Sequence, residues 1–297
     1  MTVPPKRNDV GVFSRKQGLS EIDITEFCWK IFPKEPIYEI IVNEARFSLS
    51  RLLSILPTYD PATAQVLEVG AGSCILLAYL ASKGWQVTGL EPLAPEFNFF
   101  SDMQRQVLDY CNRNSISLSI LRAKGEELNV PPTFDIVFTI NALEHMRDPL
   151  LTIENMYNSL RPGGIALIHC PNYTIPFDSH FNILLVTRLK QVNEWLYRSK
   201  ISRYPQIWQE LNFIRYIDLH RHLVNRGLRF SFNRSVMRDA VGRLFTDPIF
   251  AQRMPAAFRY IGASLKYCGV LGAALLLPPR FQTPMEVLIK KDDCTCI

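Results

Sequence analysis

The amino-acid sequence predicts an α/β protein whose sheet is mostly parallel and has helices on both faces. Between residues 65 and 170, short apolar runs alternate with stretches whose apolar residues recur at helical spacing, and this order is typical of parallel sheets. Glycine and proline separate the segments, as at Gly84 and over 161–164. With 297 residues, of which 47% are hydrophobic and 21% charged, the composition is that of a globular protein and excludes a disordered, collagen-like or coiled-coil chain.

Each element is predicted from its apolar spacing. Strands are expected over 65–69, 85–90, 117–121, 135–140 and 165–170, with helices over 75–83, 97–112 and 149–160 between them. Two helices, over 21–32 and 37–56, precede the sheet, and a helix over 214–225 leads to strands over 228–232 and 285–290 that complete it. Because the alternation stops after Pro171, the remaining segments are expected to be insertions.

Four regions follow from this order. Residues 1–60 form an N-terminal helical arm, 61–173 the sheet core, 174–212 an aromatic and basic insertion that covers the substrate, and 213–297 the part that completes the sheet. The aromatic residues of the insertion either line an apolar pocket for the substrate or form a small core of their own, and both interpretations stay open. A second, helical insertion is expected over 235–280, broken at Pro248 and Pro255.

An apolar stretch over 261–277 within this second insertion has two interpretations. Its 17 residues include Lys266 and are too few for a membrane span. The stretch is either a helix buried against the sheet or an interfacial helix that makes peripheral membrane contact, since a basic region precedes it.

Positive charge is concentrated in the later part of the chain. The net charge is +5, with −4 over 1–173 and +9 over 174–270. Such a field favours anionic partners, such as a phosphorylated or lipid-linked small-molecule acceptor or an acidic membrane surface, although a solvated basic face fits equally well. The arginines are scattered and the sequence contains no recognised nucleic-acid motif, so nucleic acid is not expected as a partner.

Cysteine usage and the first residues predict a cytoplasmic protein. The seven cysteines show no metal-ligand spacing, and residues 1–20 lack the apolar run of a signal peptide. Free thiols in a reducing compartment are the simplest interpretation.

The turn after the first strand carries the strongest chemical signal. Gly70 and Gly72 allow a sharp turn and a close approach of a ligand to the backbone. The third glycine of a pyrophosphate-binding loop is replaced by Ile75, and Glu68 would repel phosphates but would suit a cationic group. At the end of the second strand, Glu91 can accept both hydroxyls of a ribose, or it can cap the next helix. Together these residues favour a nucleoside ligand and disfavour a nicotinamide cofactor.

With the segments 134–137, 141–149 and 160–164, these motifs resemble the class I S-adenosylmethionine-dependent methyltransferases over roughly residues 62–172. The ubiquinone-biosynthesis O-methyltransferases are the most similar group. The resemblance implies a doubly wound, seven-stranded Rossmann-like sheet with an antiparallel last strand, and helical insertions after strand 5 and between strands 6 and 7. It also implies S-adenosyl-L-methionine as the cofactor.

The resemblance further implies a set of cofactor-binding positions. An aspartate that the family often places near adenine is missing here, so adenine would rely on the neighbourhood of Gly125. The implied positions are Glu68, Gly70, Ala71 and Gly72 for the methionine part, Glu91 and Pro92 for the ribose, Gly125 and Glu126 for the adenine, and Asn141 at the methyl-transfer centre.

A metal site is not expected. The ubiquinone-type enzymes use a Glu-x-x-Glu-His cluster linked to a metal, and here Asn141 replaces the first carboxylate ahead of Glu144 and His145. An alternative role for Glu144 and His145 is capping and packing at the start of a helix.

Methyl transfer to an oxygen requires removal of a proton, and candidate bases follow the fifth strand. His180 is the first choice because its ordinary pKa lies near neutrality, with His145 second and Tyr173 and Asp178 as further candidates. We therefore predict O-methylation by in-line displacement. An N- or C-methyltransferase and a cofactor-binding protein without catalysis are the alternatives.

Overall fold

A computed structural model describes residues 18–92, 98–187, 189–254, 256–269, 272 and 277–293. The chain divides into two compact units. The first unit consists of Met1–Lys124 and Thr133–Val137, and the second of Gly125–Pro132 and Phe138–Ile297.

Seven strands form one mixed sheet in the order β3-β2-β1-β4-β5-β9-β8. Strands β1, β2 and β3 pair in parallel, whereas β9 runs antiparallel to both β5 and β8. The predicted fold, with six parallel strands and an antiparallel last strand, is therefore confirmed. The strands are β1 (Gln65–Val69), β2 (Gln86–Leu90), β3 (Ser119–Leu121), β4 (Phe134–Ile140), β5 (Leu160–Cys170), β8 (Arg229–Phe232) and β9 (Met285–Lys290), and a hairpin is formed by β6 (Phe177–Asp178) and β7 (Ile183–Leu184).

In the described part of the first unit, four helices pack around a largely apolar centre. Every residue of β1 after Gln65 is buried, and so is the run from Ile75 to Leu80 in α3, which explains why that helix has no polar face. Tyr79 ties the N-terminal arm to this centre, because its hydroxyl donates to Gly18 O at 3.2 Å. The helices are α1 (Glu21–Ile31), α2 (Pro36–Leu52), α3 (Ile75–Ser82) and α4 (Asn98–Arg113), with a 3₁₀ turn at Leu56–Thr58.

The second unit contains the insertion that follows β5. Phe181 and Trp208 are buried with Ile183, Ile201 and Leu211 in a core that belongs to the insertion itself. Other aromatic side chains of the insertion, Trp195 and Tyr204, are exposed. The buried aromatic residues support the second interpretation, in which the insertion has a small core of its own. The helices here are α5 (Pro149–Ser159), α6 (Lys190–Leu196), α7 (Arg198–Ile201), α8 (Pro205–Glu210) and α9 (Tyr216–Asn225).

The second insertion is helical, as expected, but its last helix differs from the prediction. Pro248 begins α11, as the sequence indicated, whereas Pro255 lies outside the described residues. Helix α12 ends at Tyr267 rather than at 277, and residues 270–271 and 273–276 lie outside the described residues. Among the described residues of α12, only Gly262 is buried, so the interpretation of a buried helix is wrong for residues 261–269. The helices are α10 (Val236–Thr246), α11 (Pro248–Arg253) and α12 (Ala256–Tyr267).

No helix in the part of the chain that the structure describes is both long enough and apolar enough to span a membrane.

Helix α12 packs on α10 through Gly262, where an added Cβ would lie 2.6 Å from Leu244 Cδ1. Lys266 of the same helix also contacts α10, because its Nζ lies 4.2 Å from the ring centroid of Phe245.

Candidate functional site

The loop after β1 is shaped by residues in left-handed backbone conformations. Gly70 has φ of +80° and Gly72 has φ of +48°, and glycine adopts this region without a Cβ penalty. The amides of Gly70 and Ala71 donate to Leu90 O at 2.9 and 3.2 Å. These bonds fasten the loop to the end of β2.

Glu91 lies directly against this loop. Its Oε2 accepts a hydrogen bond from the amide of Gly72 at 2.8 Å. Pro92 follows and is exposed. The structure therefore brings together Gly72 and Glu91, two of the predicted cofactor-binding positions, which are 19 residues apart in the sequence.

Glu68 is a buried acid, and its Oε2 makes no hydrogen bond within the described residues. Burial, and then the neighbouring charge of Glu91, raise the pKa of Glu68 well above its ordinary value. An unsatisfied carboxylate is costly in such a place, and a cationic ligand would stabilise its ionised form. The ammonium group of a methionine moiety fits this requirement.

Gln104, on α4, is a residue of this loop that the sequence analysis missed. Its buried Nε2 donates to Gly72 O at 2.8 Å and lies 3.3 Å from Cys74 Sγ. The amide thus fixes the carbonyl side of the turn while Glu91 fixes the amide side. No local pattern distinguishes a single glutamine on an amphipathic helix, so nothing in the sequence could have identified it.

Gly89 gives a test of how tightly the loop is packed. A Cβ at this position would lie 2.9 Å from Leu77 Cδ1 and 3.1 Å from Ala71 Cβ. We expect Gly89→Ala to lower the free energy of unfolding by about 1–3 kcal/mol, measured by denaturant titration, because this clash has to be relieved. Gly242→Ala on α10 is the control, because its Cβ would meet nothing within 4 Å. Equal stability of the two variants would contradict the tight packing.

In the second unit, two of the predicted side chains, those of Tyr173 and His180, converge on a third, Asp178. The hydroxyl of Tyr173 donates to Asp178 Oδ2 at 2.8 Å, and His180 Nδ1 lies 3.2 Å from the same oxygen. Burial acts to raise the pKa of Asp178, yet that pKa is lowered overall, because the hydrogen bonds from His180 and from the Phe181 amide stabilise the carboxylate. Asp178 is thus an ionised acid that orients the imidazole of His180.

His145 and Tyr173 have different properties from His180. Burial, and then the proximity of His180, lower the pKa of His145 to about 3, so its ring is neutral at physiological pH. Its Nδ1 is buried and makes no hydrogen bond within the described residues. Burial and the charge of Asp178 raise the pKa of Tyr173. Tyr173 therefore stays protonated as a donor, and His180 is better suited than either to accept a proton.

Glu144 completes this cluster. Its side chain is only 1% exposed, and its Oε1 lies 3.9 Å from His180 Nε2. The rings of His145 and His180 meet edge to face, with centroids 5.0 Å apart. Glu144, His145 and His180 offer three ligand atoms within 4.8 Å of one another, so these residues could hold a divalent cation. The sequence analysis expected no metal and did not place His180 beside Glu144 and His145.

Asn212 is a second residue that sequence analysis missed. Its Nδ2 donates to the carbonyls of Leu143 and Met146, both at 2.8 Å, and its own amide donates to Glu144 O at 2.9 Å. These bonds hold the 3₁₀ turn Leu143–His145 against the end of the insertion. Asn212 stands in a loop without any motif, which is why the spacing of residues gave no signal.

The remaining predicted positions have structural contacts of their own. An added Cβ at Gly125 would lie 2.6 Å from Thr152 Cγ2, so glycine allows this turn to pack on α5. Glu126 Oε1 accepts from the Asp148 amide at 2.8 Å, ahead of the start of α5. Asn141 is exposed, with φ of +53°. The roles of Gly125, Glu126 and Asn141 toward a cofactor remain predictions.

A family model described as a methyltransferase domain matches residues 42–228, which is more than half of the chain. The chain belongs to this methyltransferase family. The predicted class I S-adenosylmethionine-dependent methyltransferase is thereby confirmed, as are the assignment as an enzyme and the cofactor. The buried carboxylate of Glu68 and the bond between Gly72 and Glu91 fit that cofactor.

The methyltransferase is similar to several known proteins. An uncharacterized protein of Mycobacterium tuberculosis is 29% identical over 259 residues, which cover 84% of this chain and 85% of that protein. A ubiquinone biosynthesis O-methyltransferase of Rickettsia typhi is 30% identical over 115 residues, covering 39% of this chain and 44% of that protein. A solved structure of phosphoethanolamine N-methyltransferase 2 from Haemonchus contortus is 14% identical, covers 96% of this chain and 60% of that one, and has a TM-score of 0.49.

The bonds made by Asn212 predict a positioning role in this methyltransferase. We expect Asn212→Ala to lower kcat about tenfold or more with little change in the affinity for S-adenosylmethionine, because the turn that carries Glu144 and His145 loses two carbonyl partners. Steady-state kinetics and calorimetry measure the two effects. Asn225→Ala, at the exposed end of α9, is the control. A loss of stability with an unchanged kcat would contradict this role.

Proposed function

We propose that this methyltransferase methylates an oxygen atom of a small-molecule acceptor and that His180 removes the proton. The observation that carries the proposal is the 3.2 Å contact between Asp178 Oδ2 and His180 Nδ1. An ionised aspartate favours the tautomer with the proton on Nδ1, so Nε2 is left to accept a proton.

Besides the base, the reaction requires a bound cofactor and a positioned acceptor. S-adenosylmethionine supplies an activated methyl group. Glu68 provides a negative charge for the ammonium group of the cofactor, and Glu91 accepts hydrogen bonds from the ribose hydroxyls. In-line transfer also requires the acceptor to be held about 3–3.5 Å from the methyl carbon and shielded from water.

Tyr173 and His145 support His180 in this proposal. Tyr173 donates to Asp178 and lowers the pKa of that acid together with His180, which keeps the carboxylate ionised. His145 stays neutral next to His180 and so adds no competing positive charge. The carboxylate of Glu144, 3.9 Å from His180 Nε2, would stabilise by its negative charge the imidazolium that forms when the proton is taken.

The acceptor is proposed to be anionic or lipid-linked. The net charge of +9 over residues 174–270 supports this, because a positive field attracts an anionic substrate. A cytoplasmic location is part of the same proposal, and it is supported by the buried free thiols of Cys28, Cys74, Cys111 and Cys170.

A screen of candidate acceptors with labelled S-adenosylmethionine tests the proposal. We expect release of S-adenosylhomocysteine with an acceptor that carries a hydroxyl group, and mass spectrometry should locate the methyl group on that oxygen. Methylation of an amine or a carbon would instead favour the alternative transferases. Cofactor binding without turnover on any acceptor would favour a protein that binds the cofactor without catalysis.

A further inference from the structure

The insertion after β5 exposes an unusual amount of apolar surface. We call this the insertion surface, and it is formed by exposed side chains between Leu184 and Tyr204. Trp195 is 79% exposed, and the others range from 38% to 66%. Monomeric soluble proteins seldom expose a tryptophan among so many aliphatic neighbours without a function for them. The apolar members are Leu184, Val186, Leu189, Val192, Trp195, Leu196 and Tyr204.

These side chains have no alternative place inside the insertion. Its core is already filled by Phe181, Trp208 and their aliphatic neighbours, and the ring centroids of these two aromatics lie 5.5 Å apart. Val192 and Leu196 of α6, and Leu189 directly before it, recur at helical spacing and are exposed. They therefore form an apolar, exposed face along this helix.

Positive charge accompanies the exposed apolar residues. Residues 184–204 contain five Lys or Arg residues and one acid, a net charge of +4. Arg198, Lys200 and Arg203 are exposed, whereas the carboxylate of Glu194 accepts a hydrogen bond from the indole of Trp208 at 2.8 Å. Exposed tryptophan and tyrosine beside leucine and basic residues match the interfacial zone of an anionic bilayer.

We propose that the insertion surface binds the surface of an anionic phospholipid membrane. The aliphatic and aromatic side chains enter the boundary between headgroups and acyl chains, and the arginines remain at the lipid phosphates. Binding is peripheral, reversible and sensitive to salt, because the electrostatic part is screened as the ionic strength rises. The inference does not depend on the proposed reaction, since membrane binding requires no turnover.

Helix α12 offers a competing surface. Tyr260, Ile261 and Tyr267 are exposed there, beside Arg259 and Lys266, and the sequence analysis had placed a peripheral membrane contact over 261–277. The insertion surface is favoured because it combines a tryptophan, more aliphatic residues and a higher net charge. The experiment therefore also detects membrane binding through the α12 surface and an interface with a second copy of the chain.

The experiment is co-sedimentation of the full chain with vesicles of phosphatidylcholine alone or mixed with equal phosphatidylglycerol, at low and high salt. We expect binding to the anionic vesicles only, and at least about tenfold weaker binding for the double variant Leu189→Ser/Trp195→Ser. Arg198→Gln/Arg203→Gln should weaken binding by a similar factor at low salt. Ile22→Ser, which removes another exposed apolar side chain, should bind as the wild type does.

The remaining outcomes would overturn the proposal. These are absent binding at low salt, equal binding to neutral vesicles, unchanged binding of both insertion variants, or a loss produced instead by Tyr260→Ser/Ile261→Ser. A dimer in sedimentation velocity that dissociates in Leu189→Ser/Trp195→Ser, without vesicle binding by the wild type, would assign the surface to a second copy. Circular dichroism and the thermal shift with S-adenosylmethionine establish that each variant is folded.

Discussion

Replacing His180 by alanine is expected to reduce turnover by about 10²–10⁴-fold, the usual contribution of a general base, while the affinity for S-adenosylmethionine changes little. The reason is that Asp178 holds the imidazole by Nδ1, so that removal of the ring removes the proton acceptor and leaves the glycine loop and Glu91 intact. Release of S-adenosylhomocysteine measures turnover, and calorimetry measures cofactor affinity.

Two matched variants distinguish catalysis from packing. Asp178→Asn keeps the shape of the side chain but removes the charge that orients His180, so we expect a large loss of kcat with normal cofactor binding. Tyr173→Phe removes one hydrogen bond to Asp178 and should cost less than about tenfold. If His180→Ala lowered cofactor affinity and turnover by the same factor, His180 would have no part in the chemistry.

The cluster of Glu144, His145 and His180 provides a further control on this interpretation. With His180 as the base, prolonged treatment with a chelator should leave turnover unchanged. Loss of activity that a divalent cation restores would make His180 a metal ligand, since the three side chains offer ligand atoms within 4.8 Å.

The sheet was predictable because each of its strands satisfies a strong local requirement. Buried parallel strands are near-continuous apolar runs, and β1 and β4 are mostly apolar, interrupted by Glu68 in β1 and by Asp135 and Thr139 in β4. The strand Met285–Lys290 was predicted with its correct bounds, because a short, largely apolar run follows Pro284 and ends at Lys290. Its antiparallel direction came from the family resemblance and not from this pattern.

The insertion and the contacts around His180 were less accessible to sequence analysis. Apolar residues in 174–212 fill a core or lie on the surface, and composition alone does not say which, as Trp208 and Trp195 illustrate. The contact between Glu144 and His180 joins two loops, and Asn212 holds one of them from a third position in the chain. Such contacts depend on tertiary packing, which leaves no periodic signal.

Replacing Glu91 by alanine is expected to abolish the thermal stabilisation that S-adenosylmethionine gives to the protein, because a ligand stabilises only in proportion to its binding. The change removes both the proposed ribose acceptor and the hydrogen bond to the Gly72 amide. Differential scanning fluorimetry with and without the cofactor measures the effect. Glu154→Ala is the control, since this acid pairs instead with Arg226. A normal shift in Glu91→Ala would show that the cofactor binds elsewhere.

Glu68→Gln should separate cofactor binding from stability. Because burial raises the pKa of Glu68, the folded state holds a proton that the unfolded state has already released, so stability falls as pH rises above the ordinary glutamate range. Glutamine cannot ionise, and the cofactor-free variant should therefore melt higher than the wild type at neutral pH, with the difference vanishing in acid. The same variant should bind S-adenosylmethionine more weakly, since the ammonium group loses its anionic partner. A variant that is less stable at neutral pH, or one that binds the cofactor normally, would mean that Glu68 serves packing and not recognition.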